Sequence, residues 1–143
     1  MSVRETIISN LETALKTITV DAGYTYDVGY VTRNATGLAE IDASRIPALI
    51  ILDDGEELPE ANIGTSRRAT AKITIGGLIK GLGEISTYYN DFLADLRKCF
   101  LAANLGANVI YQRLGFLRTE TGDGIIAFAQ EIEILYYYPE ANP

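Results

Sequence analysis

A chain of 143 residues, 48% hydrophobic and 22% charged, can bury its own core as one domain without disulfide or metal staples. It has no histidine and a single cysteine, Cys99. That excludes zinc sites, Ser-His-Asp and Cys-His catalysis, and any internal disulfide. The net charge of −7 sits in residues 1–60, where 11 acids face 4 bases, while residues 61–143 hold 8 of each; an acidic chain lacks the counterion release that drives sequence-specific DNA binding.

Ser2 and Glu5 form a capping-box pattern. Val3, Ile7, Leu11, Ala14, Leu15 and Ile18 follow at three- and four-residue steps, which predicts an amphipathic helix over 3–18. This start is not a signal core, and no apolar run reaches the ~18–20 residues of a membrane span, so cytoplasmic synthesis without a membrane partner is expected. The sequon Asn34-Ala35-Thr36 then carries no weight. Tyr26, Val28 and Tyr30 alternate with Asp27 and Gly29, which predicts a strand over 24–33. Residues 34–46 read as a loop. Pro47 opens the apolar run Ala48-Leu49-Ile50-Ile51-Leu52, expected to be a buried strand. Asp53-Asp54-Gly55-Glu56-Glu57 reads as an acidic turn, continued by a loop to Ser66.

A long strand is predicted over 67–80, with Ala69, Ala71, Ile73 and Ile75 on one face and Arg68, Thr70, Lys72 and Thr74 on the other. Gly76-Gly77 suggests a bulge within it. A second helix over 87–104 carries the stripe Tyr89, Phe92, Leu93, Leu96, Cys99, Phe100 and Ala103, with Gly106 placed as its C-terminal cap. Strands over 109–119 and 125–138 flank a hairpin turn at Thr121-Gly122-Asp123-Gly124. The order α-β-β-β-α-β-β predicts an α+β fold, with a mostly antiparallel sheet and two helices packed on one of its faces.

Motifs for chemistry are weak. The string from Gly76 to Gly83 follows a strand and precedes a helix, but Lys80 comes before Gly81, which breaks the phosphate-loop order. Asp91 and Asp95, with Glu84, have a spacing that could hold Mg²⁺, but no basic or nucleophilic partner lies nearby in sequence, and a solvated helix face is the expected reading. Cys99 lies in an apolar helical run and reads as core. No metal or cofactor is expected. There are nine tyrosines and no tryptophan, and Tyr136-Tyr137-Tyr138 closes the last strand. Alternation puts Tyr137 on the face opposite Tyr136 and Tyr138, so at least one ring lies off the core, as contact surfaces favour. Strands this long leave edges that need cover, and regular self-association is one way to provide it.

Over nearly its full length the chain resembles the tail terminator (tail completion) and related minor tail proteins of long-tailed bacteriophages. The resemblance is one of size, element order and texture. It is carried by the helix Arg4 to Ile18 leading to Tyr26-Asp27-Val28-Gly29, then Ile46-Pro47-Ala48-Leu49-Ile50-Ile51 and Ala71-Lys72-Ile73-Thr74-Ile75-Gly76-Gly77. Leu93-Ala94-Asp95-Leu96 and Ile132-Glu133-Ile134-Leu135-Tyr136 complete it. It implies a non-enzymatic virion protein of the tail or neck, assembled in the host cytoplasm. Such a protein forms a six-membered ring that ends tube polymerisation, with the tail tube protein on one face and a head–tail connector or stopper on the other. DNA would cross the lumen without specific binding. The candidate lumen or partner-contact residues are Asp53, Asp54, Glu56, Glu57, Arg67, Arg68, Tyr136, Tyr137 and Tyr138, and loops 34–46 and 53–66 are candidate contact segments. Another neck component (a head-completion or connector protein) is the first alternative, and a small-ligand binding module the second.

Overall fold

The computed structural model describes residues 2–33, 46–57, 66–80, 85–106, 109–122 and 125–139. Residues 34–45 of the expected loop 34–46, residues 58–65, Gly81 to Glu84 of the glycine-rich connection, and Asp123-Gly124 of the hairpin turn lie outside these residues. In chain order the elements are α1 (Val3–Lys16), a short 3-10 turn (Val20–Ala22), β1 (Tyr30–Thr32), β2 (Ala48–Glu57), β3 (Ser66–Lys80), α2 (Ile85–Ala102), β4 (Val109–Gly122) and β5 (Ile125–Pro139). The strands form one five-stranded sheet in the order β1-β2-β3-β5-β4. Three pairings are antiparallel, whereas β1 runs parallel to β2, so the sheet is mixed.

Ser2 starts α1: it is extended at φ −70°, ψ 158°, and its hydroxyl accepts the Glu5 N–H at 3.0 Å. The Glu5 carboxylate turns to Arg33 instead of closing the capping box, taking two hydrogen bonds of 2.5 and 2.8 Å. The buried stripe Ile7, Ile8, Leu11 and Leu15 meets Phe92, Leu96, Cys99 and Phe100 of α2 in one cluster with Ala69, Ala71, Ile73 and Ile75 of β3. Both helices therefore cover the same face of the sheet. On β5, Phe128, Ile132, Ile134 and Tyr136 complete that core, in register with Gly77, Ile73, Ala71 and Ala69.

The strand expected over 24–33 is only three residues long. Its preceding N–H groups are satisfied by other partners. Val28 N donates to Ile18 O and Gly29 N to Pro47 O, while Thr25 N and Tyr26 N donate to the Asp95 carboxylate at 2.9–3.1 Å. Tyr26 and Val28 still pack against the core, so the alternation was real while the ladder was not. Asp95 is thus no solvated helix residue. It is 4% exposed and anchors this segment.

Two further expectations are corrected in β2 and β3. The acidic run 53–57 is strand, pairing with Ile73, Lys72, Ala71 and Thr70, with a register shift between Asp53 and Gly55. The register of β3 passes through Gly76 and Gly77 without a shift. Gly77 is needed for another reason: a Cβ there would stand 2.3 Å from the Phe128 ring. Gly106 does adopt positive φ (126°), but it lies beyond the end of α2 at Ala102 and does not cap it directly.

A candidate contact surface

The sheet face away from the helices carries the candidate surface. Strands β3 and β5 pair from Ser66↔Pro139 to Lys80↔Ile125, so successive rungs on this face are Arg68–Tyr137, Thr70–Leu135, Lys72–Glu133 and Thr74–Glu131. Arg67 and Arg68, far from the tyrosines in sequence, become their cross-strand neighbours, opposite Tyr138 and Tyr137 respectively. Arg68 is exposed and Tyr137 is 39% exposed, the combination that contact hot spots favour. Tyr138 is partly buried against the core and its ring lies 6.2 Å from that of Tyr136.

Tyr136 itself is not a contact residue. It is 2% exposed on the helix-covered face, and its hydroxyl donates to Glu56 Oε1 at 2.7 Å. Burial and this neighbouring carboxylate push the phenol well above its ordinary pKa.

The acidic quartet does not form one rim. Side chains alternate along a strand, so residues three apart would normally face opposite ways. The extra residue at the bulge reverses this and places Asp53 and Glu56 together on the helix side. There Arg4 grips Asp53 with two hydrogen bonds of 2.5 Å, reaches Gly55 O at 3.1 Å, and lies 3.7 Å from Glu56. The Arg4 hydrogen bond holds the Asp53 carboxyl below its usual range. Asp54 and Glu57 fall on the open face, where Asp54 accepts from the Thr74 hydroxyl and Glu57 pairs with Lys72 at 2.7 Å. Gly55 makes the bulge possible through φ 109°, with its N–H on Asp53 Oδ1 at 3.0 Å.

Asp54, Lys72, Thr74, Glu131 and Glu133 line a shallow depression of about 320 Å³ on the open face. A second hollow of about 240 Å³ lies between the helices, beside Asn10, Tyr24 and Cys99. The Cys99 thiol is buried, donates to Ala14 O at 3.2 Å, and is pushed up in pKa by burial. Among the described residues, no cluster of His, Cys, Asp or Glu could hold a metal ion, and no helix is long and apolar enough to cross a membrane. Sequence reasoning missed two features: the bulge that sorts the acids, and the anchor role of Asp95. The Asp-x-Gly spacing at 53–55 was the available signal for the first.

No family model matches the chain, and no curated protein matches it. Solved structures do match. One is a chain described as "Virion of native gene transfer agent (GTA) particle", with TM-score 0.47 and 8% identity, the match covering 96% of this chain and 92% of that one.

Proposed function

We propose that the chain is a structural subunit of a long-tailed phage virion, which closes the head-proximal end of the tail tube as a ring, six-membered by the resemblance set out above. One observation carries the reading. The β3–β5 ladder presents Arg68, Tyr137 and flanking acids on a sheet face that no helix of the described residues covers. Such a face is a contact surface in search of a neighbour. The tail tube protein would meet one side of the ring and a connector or stopper the other. DNA would cross the lumen unbound, and Asp54 and Glu57, which lie on the face away from the helix side where Arg4 and Tyr136 hold Asp53 and Glu56, are the acids placed to repel it. Immunogold labelling of intact particles tests the position. Gold at the head–tail junction supports it, and gold along the tube or absent from particles contradicts it.

A further inference from the structure

We draw no further inference here: the strongest candidate, the open sheet face around Arg68 and Tyr137 on β3 and β5, belongs to the contact surface already described, and nothing among the described residues shows what covers it.

Discussion

Replacing Gly77 with alanine should destabilise the chain, although alanine loses less backbone freedom on folding. With no other effect, the exchange would gain about 0.4–1 kcal/mol through the unfolded state. The new methyl carbon would lie 2.3 Å from Phe128 Cε1 and Cζ and 3.1 Å from Leu49 Cδ2. Carbon atoms pack at about 3.5–4.0 Å, so the ring must move by more than an ångström. It has nowhere to go at no cost. Phe128 is buried and meets Phe92 of α2 edge-on, with centroids 5.7 Å apart and planes at 63°. Displacing it disturbs the seat of α2 on the sheet. Overpacking of this kind costs about 1–3 kcal/mol, and each kcal/mol lowers the midpoint of a chain this size by roughly 3–4 °C. Thermal melts of Gly77→Ala, Phe128→Leu and the double variant measure it. The double variant should be more stable than the two single losses added together, by about 1 kcal/mol or more, because the smaller side chain makes room for the methyl. A Gly77→Ala protein as stable as the parent, or strictly additive losses, would refute the close-approach reading.

Arg4→Met should flatten the acid limb of the stability–pH curve. Arg4 lowers the Asp53 pKa in the folded chain, so this carboxylate stabilises fully above its unfolded pKa of about 4 and loses the contribution as pH falls through the lower folded value. The variant should be weaker at neutral pH by up to about 1 kcal/mol, since the pair is half exposed, and should converge with the parent near pH 2. Denaturant titration from pH 7 to 2 reads both. Asp95→Ala should cost about 2–3 kcal/mol by leaving the Thr25 and Tyr26 N–H groups unpaired, with Asp95→Asn milder because its amide oxygen still accepts; amide exchange at 25 and 26 should rise in step. Gly55→Ala should cost about 1–2 kcal/mol from backbone strain alone, since nothing lies within 4 Å of its added carbon, and a neutral result would remove the bulge argument.

The elements with a strong period were legible before any coordinates. The stripe of α1, the two-faced pattern of β3 and the long hairpin partner β5 all follow from spacing, and the buried run 48–52 from its lack of alternation. Where legibility failed, a distant partner decided the outcome. Residues 24–29 alternate like a strand, but Asp95, Ile18 and Pro47 take their N–H groups. The acids 53–57 read as a turn because they are polar and hold a glycine, yet Lys72 and Thr74 across the ladder make a charged strand stable there. Tyr136 and Tyr137 are adjacent and of one type, so only the pairing with β3 reveals which is core and which is surface. For the same reason the meeting of Arg68 with Tyr137 needed the register, which sequence spacing alone does not supply.

If this chain finishes the tail, as proposed above, electron microscopy of particles assembled without it should show over-long tubes or tails unjoined to heads, corrected on complementation with the intact chain. Tails of ordinary length, firmly attached to their heads in its absence, would contradict the proposal.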